Sequence, residues 1–469
     1  MQETKTTQKI GPKVIAAVIA TGLMSFCGVI VETSMNVTFP TLMKQFNVTT
    51  STVQWMTTGY LLTVAIIVPL SATFKRRFKT KSLFITANLL FMAGVLIDAT
   101  APAFTLLLFG RIVQGFGTGI ALPLMFNIIL EQVPISKRGL MMGVGTLITA
   151  VAPAIGPTFG GIVANYLGWR FVFIILWPLL IISLVIGIMT IEQKSQIRKV
   201  RLDVLSVLLI MVTFIGLIVG FSNIGSASFL SLDIGGALLI GVIGLVGLVY
   251  RSMHIAQPVI DLRVMTTGRF SGHVLSFFLL QLISLGMSFL LPNYIQLVNG
   301  STSTIAGLVV LPGAALGAAL APISGRILDN FGARKPILFG CGLVLISLIV
   351  FTSLAQNMSN IVIISVYLCY MFGIGLGFGN IMTSGLAELS SQQQSDGNAV
   401  LNTLQQFAGA TGTSIVSAIV AASQSGHGTQ AHLTAVGTQH ALLVLTIVMV
   451  VSLVSLIRSV RKTTGQTEN

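Results

Sequence analysis

Two charged residues stand inside long apolar runs, where an ion is costly unless it has a partner, faces water or takes up a proton. Glu32 follows Cys27-Gly-Val-Ile-Val and precedes Thr33-Ser-Met-Asn36. Burial in hydrocarbon favours the neutral acid, which suits a group that loads and releases protons or binds a cation. Arg111 lies in Gly110-Arg-Ile-Val-Gln-Gly-Phe-Gly117. A guanidinium stays charged and needs a polar partner. Gln114 is one turn away on about the same helix face. We expect a buried polar network around Arg111, a proton-coupling role for Glu32 together with Arg111, and a substrate pathway lined by Glu32, Asn36 and Gln114. Asp98, at the end of its apolar run, reads as a wetted rim residue.

Further polar groups recur at helical spacing. Asn398, Asn402, Gln405 and Gly409 share one face, with Gln406 adjacent. They either line a pathway or bond helix to helix, and the sequence does not choose. The segment from Gly325 to Lys335 holds Arg326, Asp329, Gly332, Arg334 and Lys335 at a helix end. An acid among bases there suits a gating latch of charge-assisted bonds.

Other chemistries find no footing. The sequence contains no GxxxxGK[ST], HExxH or GxSxG, so a phosphate loop, a zincin site and a serine-hydrolase elbow are absent. Cys27, Cys341 and Cys369 have neither metal-site spacing nor a disulfide framework and read as inert packing residues. The five histidines are scattered. Neither a cofactor nor a metal is expected.

The elements that hold these residues must be membrane helices. Of the 469 residues, 54% are hydrophobic and 8% charged, against roughly 25% charged in soluble domains. Crossing about 30 Å of hydrocarbon at 1.5 Å per residue selects fourteen runs, of which 203–223 and 232–250 are the weakest. The first run is too long for a signal peptide and reads as a retained span. The +14 charge forms no nucleic-acid patch. With the N-terminus inside, all basic residues except Lys44, Arg111 and Arg170 fall on the inner side or the tails, and both termini are cytoplasmic.

One helix stands out by composition. Gly143 to Gly161 carries five glycines with Pro153 and Pro157. The prolines weaken its hydrogen-bond ladder, and the glycines let a neighbour approach, so we read a compliant seam or hinge. The segment Ser71–Lys81 occupies the place in the first half that Gly325–Lys335 occupies in the second. Such a parallel repeat is a signature of secondary transporters.

Together these stretches resemble the major facilitator superfamily and, within it, the fourteen-helix drug:proton antiporters of the quaternary-ammonium and lincomycin type. Gly325–Lys335 is similar to the family's loop motif, with Ile327 in place of leucine. Arg111–Gly117 resembles the fourth-helix motif, whose arginine is implicated in proton transfer. Ala152-Pro153-Ala-Ile-Gly156-Pro157-Thr-Phe-Gly160-Gly161 resembles the fifth-helix antiporter motif, and Glu32–Pro40 the first-helix acidic motif. The first-half loop departs from the pattern. Ser71 replaces the leading glycine, Lys75 the acid and Phe78 the second glycine.

The resemblance implies an all-α integral membrane protein of major-facilitator type with 14 transmembrane helices. They would form a six-helix half over 1–190, two inserted helices in 191–268, and a second half over 269–469. The implied function is proton-coupled efflux of lipophilic or cationic drugs by a monomer in a bacterial plasma membrane. The alternatives are an exporter of one physiological solute, such as a fatty acid, amino acid or metabolite, and a non-transporting sensor or scaffold.

Overall fold

The computed structural model describes residues 10–194, 197, 203–223, 231–255, 258–390 and 393–460. These form long helices that run back and forth between two ends of one bundle. The first group is α1 (Pro12–Phe46), α2 (Thr50–Val53), α3 (Trp55–Ile67), α4 (Ser71–Arg77), α5 (Thr80–Thr100), α6 (Phe104–Gln132), α7 (Ile135–Tyr166), α8 (Arg170–Ile174) and α9 (Trp177–Thr190). A hairpin follows, α10 (Val204–Ser222) and α11 (Ala237–His254). The last group is α12 (Gly268–Leu297), α13 (Ser303–Phe331), α14 (Arg334–Leu354), α15 (Asn360–Leu386), α16 (Gln394–Gln424) and α17 (Gln430–Ser459).

Among the described residues, twelve helices are long and apolar enough to cross a membrane, and the chain is a multi-pass membrane protein. Both weak runs of the hairpin are among them. Two further long helices, α7 and α16, run between the same two ends. One end carries the Lys/Arg clusters and is called the basic end below. There Gln132, before α7, donates to Glu192 O, and Lys13 pairs with Glu192 at 3.2 Å. At the other end Trp169, after α7, donates to Gln45 at 2.7 Å, and Thr50 donates to Gln424 of α16 at 2.6 Å.

Local sequence explains where the helices begin and stop. Three helices that start at the end away from the bases, α13, α15 and α17, are capped by hydroxyls. Thr302, Ser359 and Thr429 accept from the N–H groups of Ile305, Val362 and His432, satisfying donors that the first turn leaves free. Helix α13 stops at Gly332, whose φ of 72° is left-handed and favours glycine. Helix α7 continues through both Pro153 and Pro157 without interruption.

Within lipid, helices associate by close packing rather than by hydrophobic exclusion. A Cβ on Gly94 of α5 would lie 2.7 Å from Gly110 O of α6, and one on Gly117 would lie 2.6 Å from Ala87 O. Side chains there would hold the two backbones apart. Helices α10 and α11 meet similarly at Gly216 and Gly241, and Arg251 grips Asp203 at 2.7 and 2.9 Å.

The first and last groups meet along α1/α12, α7/α13 and α3/α16. Hydrogen bonds joining them gather in the half of the bundle away from the basic end. Asn36 donates to Ser288 at 3.1 Å, Gln296 to Val37 O at 2.9 Å, and Thr158 to Gly307 O at 3.0 Å. Thr304 donates to Gly161 O at 3.1 Å, and Thr58 lies 3.1 Å from Thr413. At the basic end, the ion pairs Lys75–Glu131 (2.6 Å) and Arg269–Glu388 (3.9 Å) each close within one group.

Candidate functional site

Helix α1 brings Gly28, Glu32 and Asn36 to one face at one-turn intervals. Asn36 is buried, and both ends of its amide are used. Its Nδ2 donates to Ser288 of α12, and its Oδ1 accepts from Thr57 of α3 at 2.8 Å. It therefore clasps the two groups together instead of facing an open pathway. One turn earlier, Glu32 is only partly covered, and no described residue hydrogen-bonds its carboxylate.

Arg111 is fully enclosed. Its Nε donates to Met56 O at 3.1 Å and its Nη1 to Gln114 Oε1 at 2.6 Å. The guanidinium lies 4.2 Å from the centre of the Tyr60 ring, a cation–π arrangement strengthened by exclusion of water. Its Nη2 has no partner among the described residues. Tyr60 in turn reaches α1 and α6, its hydroxyl 3.1 Å from Gly28 O and 2.9 Å from Thr118 Oγ1. Arg111 and Tyr60 are both within electrostatic reach of Glu32.

Asp98 corrects the sequence reading. It is no rim residue: it is wholly buried between α5 and α6, and its Oδ2 accepts from Gln114 Nε2 at 2.7 Å. The reason lies in Gly94 and Gly110. They bring the helices so close that the Asp98 carboxylate takes the space where a Gly110 side chain would be. Gln114, placed by sequence in the substrate pathway, is fully enclosed and bridges Arg111 to Asp98.

Helix α7 lies between α1 and α13. Ser34 of α1 donates to Gly156 O at 2.8 Å, and Cβ atoms on Gly156 or Gly160 would strike Thr33 or Ser34. On the other flank, Gly161 abuts Ser303 of α13, and Gly307 abuts Pro157. The glycine/proline stretch thus touches both groups, with Pro153 one turn before Pro157.

The remaining candidates lie apart from this cluster. Asn402 donates to Asn398 O at 2.9 Å, while Gln405 and Gln406 are partly covered and have no described partner. Arg334 donates to Val460 O at 3.2 Å; Gly325 and Lys335 are exposed, and the side chain of Asp329 lies outside the described residues. Cys27 and Cys341 are packed inside, as expected of packing residues, whereas Cys369, read the same way, is exposed. Sequence reasoning missed Tyr60, Thr57 and Ser288. Their only local signal is a polar atom within an apolar run.

This multi-pass bundle, with a charged cluster enclosed between its helices, is that of a transporter family and not an enzyme family. The chain belongs to the Major Facilitator Superfamily, whose family model matches residues 21–413. It is 38% identical to the lincomycin resistance protein LmrB of Bacillus subtilis (strain 168) over 93% of this chain and 94% of that one. It is 29% identical to the multidrug resistance protein B homolog of Mycobacterium tuberculosis (strain H37Rv), over 83% of this chain and 73% of that one. In fold it is similar to a bacterial homolog of the human lysosomal transporter Spinster. That match has a TM-score of 0.71 and 13% identity, and covers 96% of this chain and 99% of the other.

Proposed function

We propose that the protein is a proton-coupled exporter of lipophilic, mainly cationic drugs, working by alternating access as a monomer in a bacterial plasma membrane. The observation that carries this reading is Glu32, a partly covered carboxylate without a described hydrogen bond, within electrostatic reach of the enclosed guanidinium of Arg111. Such a group is free to exchange a proton for an organic cation, and Arg111 reports the exchange to α3 and α6. Similarity to the lincomycin and multidrug resistance proteins supports the choice of substrate class.

In this reading α7 and α16 complete fourteen crossings. Two six-helix halves, 1–190 and 269–469, rock about the α7/α13 and α3/α16 seams, with 191–268 inserted between them. Both termini and the basic end face the cytoplasm, so the bonds between the halves close the outer side. The Gly325–Lys335 segment guards the inner side, and the amides Asn402, Gln405 and Gln406 line the route from it. Each charge entering with the potential supplies roughly 2.3 kcal/mol per 100 mV.

Ethidium efflux from cells, wild type beside Glu32→Gln, with and without a protonophore, tests this. Export by the wild type alone, lost with either perturbation, is expected. Unchanged proton-driven efflux by Glu32→Gln sinks the coupling role. No dye movement by a well-expressed wild type favours an exporter of one physiological solute.

A further inference from the structure

His273, in the second turn of α12, is fully enclosed against α15 near the basic end. Gly385 of α15 makes the room, since a Cβ there would lie 2.9 Å from His273 Cβ. The ring's Nδ1 is 2.8 Å from Arg269 O, and its Nε2 is 3.1 Å from Ser384 Oγ. A carbonyl only accepts, so Nδ1 carries a hydrogen whatever the charge of the ring. The atom that titrates is therefore Nε2. In the neutral ring it accepts from the Ser384 hydroxyl. When a proton from water forms an N–H bond there, Nε2 donates to Ser384 Oγ and the hydroxyl hydrogen turns away.

The acid available to the charged ring is Glu388, two residues past the end of α15 and within electrostatic reach of His273. It meets Arg269 at 3.9 Å, a looser approach than the roughly 2.7–2.9 Å of a closed charge-assisted bond. The Arg269 side chain is 54% exposed, whereas that of Glu388 is only 9% exposed. The acid thus sits on the covered side of the pair, with the imidazole. We propose that His273 is a proton-binding site at the basic end, in which the proton on Nε2 is balanced by Glu388 in competition with Arg269. Helix α12 also carries Ser288 and Gln296, which bond the last group to α1. The proton is therefore taken up by the helix that clasps the two groups, far from Glu32 and Arg111.

The other charges around this end of α12 hold different positions. Helix α16 has Asp396 in its first turn, and α17 has Arg458 in its last. The short turn Leu262–Thr266 before α12 has Arg263, which donates to Met253 O and Ile255 O beside Asp261. Lys13 of α1 pairs with Glu192, and Arg326 of α13 is exposed. Among the described residues, the imidazole hydrogen-bonds only Arg269 O and Ser384.

The test titrates the full-length protein, with isotope-labelled histidine nitrogens, in liposomes and without substrate, by solid-state NMR. The His273 signals are those that Ser384→Ala perturbs and His273→Asn removes, so their assignment survives a folding failure of the second variant. Nδ1 is expected to keep its hydrogen throughout, while Nε2 passes from bare to protonated between about pH 8 and 5. Glu388→Gln should move that midpoint to lower pH, and Arg269→Gln to higher pH, each by about tenfold in proton concentration. Losing the acid withdraws what favours the charged ring, and losing the competing base does the reverse. The opposite signs separate charge from a general loosening of the helix ends. An Nε2 that stays in one state across the range, a midpoint that Glu388→Gln leaves unmoved, or two variants that shift it the same way overturns the proposal. Failure of the export reading would appear separately, as absence of dye movement by the wild type.

Discussion

At the scale of residues, the cluster turns on how many partners one guanidinium can hold. Arg111 meets Met56 O, Gln114 and the Tyr60 face at once. A lysine has a single nitrogen and no planar fork, so it cannot reproduce this set. Arg111→Lys should therefore lower stability by about 1–3 kcal/mol, the usual cost of leaving buried polar groups unpaired. Thermal unfolding in detergent would measure it, and a variant as stable as the wild type would refute the geometry. The Arg111–Gln114 contact is legible in the sequence because i and i+3 share a helix face. The burial of Asp98 is not, because it depends on which helix packs against it. Position along an apolar run says how deep a residue sits, while depth of enclosure is set by neighbours.

At the scale of elements, backbone approach decides what can be changed. A Cβ at Gly160 would lie 2.5 Å from Ser34 O and 2.8 Å from Ser34 Cα, both backbone atoms that cannot swing away. Gly160→Val should cost about 1–3 kcal/mol or more by overpacking. Gly342→Ala, with nothing within 4 Å, should be close to neutral. Comparing their melting temperatures with the wild type tests the contrast. The α10–α11 hairpin has a different fastening. The Arg251 guanidinium beside Asp203, with help from Ser206, holds that carboxyl below the usual carboxylate range. A lowered value in the folded state adds stability that is complete above the ordinary carboxylate pKa of about 3.9 and disappears as pH falls through the lowered one. The melting difference between wild type and Asp203→Asn should hold steady from about pH 7 to 5 and shrink below about pH 4. A gap independent of pH over that range would count against the pairing. Helix positions follow from apolar runs, so the elements were largely readable. The pairing of Lys75, the odd base in the first-half loop, with Glu131 was not, since its partner lies far along the chain.

At the scale of the whole molecule, the hydroxyl and amide bonds between the first and last groups stand together away from the basic end. No local pattern foretold this, because each bond pairs residues more than a hundred positions apart. The two outer seams also differ in what covers them. Helix α10 lies against both α3 and α16, with Gln54 reaching Ser222 and Phe214 stacked on Phe407 at 4.5 Å. The α7/α13 seam is rimmed by exposed Ile155, Ile162, Ile305 and Leu308. Acyl chains are therefore the neighbours of one seam and protein the neighbour of the other. The surrounding lipid becomes a structural component on one flank only. In the alternating-access reading, rocking of the two groups would displace a lipid annulus at α7/α13 while carrying a protein buttress along at α3/α16. Changes of acyl-chain length would thus load the two sides of that motion unequally.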